Sequence, residues 1–344
     1  MRSAQTNGVG PGASLVEARR PEGDLGMAHT YFYSNVTAVV ADPEGQRRQV
    51  IRSTLHYLGF REVEWCDNLA DLRSLCESRK PDLVLAALDL ADGPASQYFQ
   101  DVRRGRTSVD PFTPIIAVLS EASPETVRRG IDCGADDLLI HPWPTGYLDG
   151  RMEKLIHGRK PFVVSADYVG PDRRARDRDG PKAQQLTPPN VLEAKALRRQ
   201  SSETVAEALA TARTTLEQYR LHAVATLAVR LVDEVEALYA RGQMADALVP
   251  VQLERIRAAA DEASLLAIKG AAATAAAGFR DLARHAVLCR DAQQHGRVAS
   301  LVEMARLRDA IAGFFKIETA LLLDTPAAAA APPRPPQRSR AAVG

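Results

Sequence analysis

The stretch Pro81-Asp82-Leu83-Val84-Leu85-Ala86-Ala87-Leu88-Asp89-Leu90 decides the fold. Leu83 to Leu88 is unbroken apolar sequence, with Pro81-Asp82 before it and Asp92-Gly93 close behind. A run this short, apolar on both faces and bounded by turn residues, reads as a fully buried strand of a parallel sheet. Ligands and chemistry collect at the carboxyl ends of such strands. The residues at Ala87, Leu88 and Asp89 therefore set what the domain can do.

Working outward, the same alternation of short apolar runs and helical periodicity recurs. Val36 to Ala41 reads as a strand ending at Asp42-Pro43. Val50, Ile51, Leu55 and Leu58 recur at helical spacing, and Gly59 closes that helix. Glu62 to Cys66 is a short strand, and Asn68 caps a helix through Glu77. Beyond the central run, Ala95 to Arg104 is helical and Pro114 to Leu119 is a strand. Ser123-Pro124-Glu125 starts a helix that ends at Cys133-Gly134. Asp137 to Ile140 is the last strand, and Thr145 to His157 the last helix. These units predict an α/β fold: a doubly wound, five-stranded parallel sheet of the flavodoxin-like kind.

The flanks differ in composition. Residues 1–33 are rich in Gly, Ser, Pro and charge and are expected to be a disordered N-terminal extension, with Met27 a candidate start codon. The α/β unit spans 34–159. Residues 160–190 are expected to be a charged linker. Within it, Tyr168 to Gly180 mixes Arg with Asp and reads as a solvated segment or a basic docking segment; the aspartates weaken attraction to phosphate. Residues 191–324 are expected to form an all-α helical bundle, with Val205, Leu209, Leu216, Leu227, Leu231 and Leu238 as an apolar stripe. Gly242, Gly270, Gly278 and Gly296 mark breaks or close contacts between the later helices. Residues 325–344, runs of Ala and Pro, are expected to be a disordered tail.

The bulk numbers limit the function classes. The chain's 344 residues suit two domains plus tails. With 44 basic and 43 acidic residues there is no global pull toward nucleic acid or an anionic membrane. No apolar run approaches the roughly 20 residues that span a bilayer, and the first residues lack a signal-peptide core, so a cytoplasmic location is expected. Cys66, Cys76, Cys133 and Cys289 are scattered, which points to reduced, buried thiols rather than a metal site.

The first half resembles a response-regulator receiver domain, the CheY-like fold. The resemblance rests on Val39-Val40-Ala41-Asp42 followed by Arg47, on Pro81 to Leu85, on Pro114-Ile115-Ile116, and on Gly134-Ala135-Asp136-Asp137-Leu138-Leu139-Ile140-His141-Pro142. It implies a phosphoryl-accepting aspartate on the third strand and acidic residues after the first strand that hold Mg²⁺. It also implies a hydroxyl after the fourth strand, a lysine after the fifth, and often a cis peptide before the proline at 142. In this sequence the acceptor position, six residues past Pro81, is Ala87. The acidic pair is reduced to Ala41-Asp42, so Asp42 is at best a vestigial, weak metal ligand. The hydroxyl position is Leu119, with Ser120 one residue late; the lysine position is His141, and Leu138 replaces the usual aromatic.

Two residues leave alternatives open. Asp89 shares a strand face with Ala87 but sits about 6.6 Å further along, and in-line transfer tolerates little misplacement. It is read as a carboxylate facing water, with phosphorylation at Asp89, and Mg²⁺ as its cofactor, the rival. His141 would pair with phosphoryl oxygens only when charged, below about pH 6.5; filling the vacant pocket by hydrogen bonding is the preferred reading.

The second half carries a fainter resemblance. Leu266-Ala267-Ile268-Lys269-Gly270-Ala271-Ala272-Ala273 is similar to the helix of histidine phosphotransfer (HPt) domains, with Leu266 where that family has its histidine and Lys269 and Gly270 in place. Small residues at such spacing also serve tight helix packing. His222 and His285 read as surface or partly buried helix residues.

These readings point to a signalling protein that is not an enzyme, needs no cofactor, and works by binding. A histidine kinase, a receiver or another signalling protein, or a second copy of the chain, is the expected partner; a membrane or nucleic acid is not. The rivals are a regulator phosphorylated at Asp89 and a transcriptional regulator with a nucleic-acid-binding helical half, where Arg198, Arg199 and Arg213 supply some positive charge.

Overall fold

The structure, a computed structural model, describes residues 31–144, 146–173, 184–243, 245–292 and 294–317. The expected disordered extension and tail lie outside these residues, except that Phe32 and Tyr33 are already packed. Phe32 N–H donates to Ala196 O at 2.9 Å, and the Tyr33 ring stacks on Phe60 at 4.5 Å.

The first half folds as β1 (Thr37–Ala41), α1 (Gly45–Leu58), β2 (Glu62–Cys66), α2 (Leu69–Arg79) and β3 (Leu83–Ala87). A two-strand hairpin follows, β4 (Asp89–Leu90) and β5 (Gly93–Pro94). Then come α3 (Ala95–Arg103), β6 (Ile115–Leu119), α4 (Pro124–Asp132), β7 (Asp137–Ile140) and α5 (Tyr147–His157). The main sheet is parallel, in the order β2-β1-β3-β6-β7, so β3 is central and every one of its residues is buried. Caps stand where the sequence places them. Asn68 accepts from Asp71 N–H at 2.8 Å, Ser123 from Thr126 N–H at 3.2 Å, and Gly59 ends α1 at φ 106°. Alternation along the strands sends Val39, Ala41, Val84 and Ala86 to one face, where α2 and α3 cover them with Leu72, Cys76, Phe99 and Val102. For the other side α1 and α5 supply Ile51, Leu55, Leu148 and Met152 as fully buried side chains.

The stretch expected to be a charged linker is built differently. It contains β8 (Phe162–Val164), β9 (Val169–Pro171) and β10 (Gln184–Leu186), which form an antiparallel sheet in the order β10-β8-β9. The reason is the apolar set Phe162, Val163, Val164 and Val169 between the charges, all of it buried. Residues 174–180 of the Arg/Asp segment lie outside the described residues.

α6 (Val191–Leu197) lies against α5 rather than in the bundle, because Asn190 Nδ2 donates to the last carbonyls of α5, Leu155 O at 2.8 Å and Ile156 O at 3.1 Å. The bundle is α7 (Ser202–Ala240), α8 (Leu248–Lys269), α9 (Ala273–Asp291) and α10 (Gln294–Phe315), each packed on the next and α10 back on α7. Its core is rich in alanine, including Ala260, Ala263, Ala276 and Ala286, which lets helix axes come close; Ser264 Oγ reaches Ala276 O at 3.1 Å across that contact. Gly242 and Gly270 end α7 and α8 as expected, whereas Gly278 and Gly296 lie inside α9 and α10. Of the expected stripe, Leu216 and Leu231 are buried and Val205, Leu209, Leu227 and Leu238 half-buried. α7 is long enough to serve two partners: Ala212 and Leu216 pack on Phe112, Phe162 and Val169, while Val224 to Val235 belong to the bundle.

Candidate functional site

Strand register gathers the implied positions on one edge. Ala41 pairs with Ala86, so Asp42 and Ala87 follow side by side. Ala87 pairs with Val118, Leu119 pairs with Ile140, and His141 N–H donates to Leu119 O at 2.8 Å. Asp42, Ala87, Leu119, Ser120 and His141 therefore share the carboxyl edge of the sheet, as the resemblance implies. The His141–Pro142 peptide is cis.

That edge holds a buried ion pair on one side and apolar side chains on the other. Ala87 and Leu119 are buried. Asp42 is fully buried, and Arg47, reaching back from the first turns of α1, holds it in a fork: Nε donates to Oδ2 at 2.5 Å and Nη2 to Oδ1 at 2.8 Å. Glu44 N–H adds a third donor to Oδ1 at 2.8 Å, and Glu44 Oε2 accepts from Arg47 Nη1 at 2.8 Å. A planar guanidinium matches a carboxylate in this way, and burial strengthens the pair. The oxygens that a divalent cation would need are thus occupied by N–H donors.

Asp89 is carried out of the edge by the β4–β5 hairpin. Its side chain is 65% exposed and forms an ion pair with Arg129 of α4, whose Nη1 donates at 3.2 Å and whose Nη2 is closer still. Ser120 is exposed. His141 is exposed too, its ring edge-on to Trp143 at 5.4 Å, so it does not fill the pocket as expected. Asp42 is already satisfied by Arg47 and Glu44 N–H, and Ala87 and Leu119 beside it offer an imidazole no polar partner.

The hairpin also positions Asp92, which sequence reasoning passed over. Its carboxylate accepts from the first amides of α2, Leu69 N–H and Ala70 N–H, the latter at 3.0 Å. The Leu69 amide, with Ala70 behind it, holds that carboxyl below the usual carboxylate range. The Asp-Gly pair, an expected turn, was the signal that could have found it.

In the bundle, Leu266 is buried while Lys269 and Gly270 are exposed at the end of α8. His222 and His285 are half-buried, the former edge-on to Phe315 at 6.5 Å. All four cysteines are free and buried. Among the described residues, no group of His, Cys, Asp and Glu could hold a metal ion, and no helix is long and apolar enough to cross a membrane.

The N-terminal part, with this sheet order, is similar to the receiver domains of response regulators, proteins of two-component signal transduction. Particular relatives are the phosphate regulon transcriptional regulatory protein PhoB of Pseudomonas aeruginosa, 25% identical over 125 residues (36% of this chain, 53% of PhoB), and the KDP operon transcriptional regulatory protein KdpE of Escherichia coli, 33% identical over 117 residues (33% of this chain, 48% of KdpE). The transcriptional regulatory protein DpiA of Escherichia coli is 28% identical over 177 residues, 48% of this chain and 76% of DpiA. The chain spans about half the length of PhoB and KdpE. Among solved structures, the chemotaxis protein CheY4 of Vibrio cholerae matches 35% of this chain and 97% of its own at 22% identity and a TM-score of 0.31. The receiver domain of the sensor histidine kinase PA1611 of Pseudomonas aeruginosa, solved with magnesium in its active-site cleft, matches 35% of this chain and 94% of its own at 19% identity and a TM-score of 0.32. No family model matches the chain.

Proposed function

We propose that this chain is a cytoplasmic, non-enzymatic signalling protein whose receiver fold no longer accepts a phosphoryl group and acts by binding protein partners, without a cofactor. Ala87 carries the reading. Its methyl group sits at the carboxyl end of β3, where the fold presents its acceptor, and it has no nucleophile. Phosphoryl transfer depends on a nucleophile, metal and cationic donors acting together. Here Arg47 supplies a fixed positive charge to Asp42 in place of a metal, Leu119 replaces a hydroxyl and His141 turns to solvent. Asp89 is spent on Arg129. Binding to a histidine kinase, a receiver or another signalling protein is supported by α1, which leaves Val50 and Tyr57 exposed beside Trp143. The buried Leu266 leaves no phosphodonor at the HPt-like position, so the bundle is a binding or output module.

The test is intact-protein mass after incubation with acetyl phosphate and Mg²⁺. The expected result is an unchanged mass. A gain of roughly 80 Da, one phosphoryl group, that disappears in Asp89→Asn overturns the reading.

A second reading is favoured by the names of the relatives, which are transcriptional regulatory proteins. In it the helical half contacts DNA. Salt-sensitive binding of the full chain to duplex DNA supports it, and its absence at low salt removes it.

A further inference from the structure

At the opposite, amino edge of the sheet lies a cluster that the phosphorylation pocket does not involve. Arg103 is fully buried at the end of α3. It donates to Gly134 O, Pro111 O and Thr113 O, each at 2.7 Å, and to Asp136 Oδ2 at 2.7 Å. Asp136 Oδ1 accepts from Arg159 Nε at 2.9 Å, and the side chain of Arg159 is 4% exposed. Arg173 approaches the same loop, its Nη2 donating to Ala135 O at 2.8 Å and Asp136 O at 3.1 Å. The Asp136 carboxylate thus accepts from two guanidinium groups and from Ile115 N–H at 2.8 Å, while Arg173 holds the backbone carbonyls beside it. The neighbouring Asp137 is engaged by Arg151 at 2.8 Å, and Asp172 accepts from Gln185 at 2.7 Å.

Two donors remain unused. Arg159 Nη2 and Arg173 Nε are buried, and neither has a hydrogen-bond partner among the described residues. Both residues line one cavity of about 40 Å³, with Lys154 and Lys160 also in its wall, together with Asp136 and Asp137, whose carboxylates are already paired with Arg103, Arg159 and Arg151. A buried N–H left unpaired costs free energy, more when the group is charged. The excess of buried positive charge compounds that cost. The volume holds roughly three water molecules, the size of one tetrahedral oxyanion.

We propose that this cavity binds the phosphate group of inorganic phosphate or of a phosphomonoester. Arg159 Nη2 and Arg173 Nε supply charge-assisted hydrogen bonds, and Lys154 and Lys160 supply charge at the mouth. The wall joins the end of α5, the entry to β7 and Pro171 of β9. A bound oxyanion therefore ties the small antiparallel sheet to the receiver fold. The site is distinct from the lost acceptor, since Asp137 opens β7 and His141 follows its other end.

The test is thermal unfolding of the full chain in phosphate, in glycerol phosphate and in chloride at matched ionic strength. Phosphate is expected to raise the Tm saturably above the chloride control. Glycerol phosphate matching it assigns the site to a larger phosphomonoester; phosphate alone assigns it to the free anion. Arg173→Ala combined with Lys160→Ala leaves the Arg103–Asp136–Arg159 cluster intact and is expected to weaken phosphate at least about tenfold. Phosphate-dependent ³¹P line broadening, present in the parent chain and reduced in that variant, gives a readout independent of stability. Equal Tm in phosphate and chloride, or equal phosphate affinity in parent and variant, overturns the proposal.

Discussion

The guanidinium of Arg47 forks onto the Asp42 carboxylate, Nε donating to Oδ2 at 2.5 Å and Nη2 to Oδ1 at 2.8 Å, with both side chains buried. Removing one partner leaves the other buried and unpaired. Arg47→Ala is expected to cost about 3–5 kcal/mol in urea unfolding. Arg47→Lys falls between, since an ammonium cannot form the fork. Millimolar Mg²⁺ is expected to leave the Tm of the parent chain unchanged, because the metal would have to displace the arginine.

The Asp89–Arg129 pair is a different case. At 65% and 37% exposure it is largely screened by solvent. Asp89→Ala is expected to cost less than about 1 kcal/mol. A loss as large as that of Arg47→Ala would show that the hairpin is held by this pair.

Gly134 has φ 80°, and a Cβ there would lie 2.8 Å from Val169 O and 2.8 Å from Arg103 Cγ. The Val169 carbonyl is strand backbone and Arg103 is locked by its hydrogen bonds, so neither can yield. Gly134→Ala is expected to destabilise by about 2 kcal/mol or more, read as a fall in urea midpoint.

Burial pushes the Cys66 and Cys76 thiols up to about 12 and Cys133 up to about 11. At pH 8 a thiol at 12 is thiolate about once in ten thousand molecules. Native protein is expected to react with a thiol reagent only at the rate of unfolding, and denatured protein at once. Rapid labelling of native Cys76 would contradict the buried core.

The Asp92 carboxyl is held below its ordinary value by the Leu69 and Ala70 amides. A folded-state value below the unfolded one adds stability above the unfolded value, about pH 4, and that stability is lost as pH falls through the folded value. Asp92→Asn is expected to flatten the acid limb of the pH–stability curve and to leave the alkaline side unchanged.

Much of this fold was legible in order. β2 and β7 begin and end where alternation and turn residues place them, and Asn68 and Ser123 cap the helices they precede. Local signals suffice there because period and caps act within a few residues. The small sheet of β8, β9 and β10 was not legible. Its strands are three residues each, broken by charge, and gain their burial from Phe112 and α7. Nor could the number of residues between Asp42 and Arg47 reveal the fork, or that between Ala87 and Asp89 the hairpin that turns Asp89 outward.

By itself the sequence determined the parallel sheet and the methyl group at residue 87, because a side chain's chemistry does not depend on its surroundings. Only the tertiary structure decided that Asp42 is neutralised by Arg47, that His141 faces water, and that Arg103, Arg159 and Arg173 converge on Asp136. Those relationships join residues far apart in the chain or on different elements, and distance and burial arise only when the elements pack.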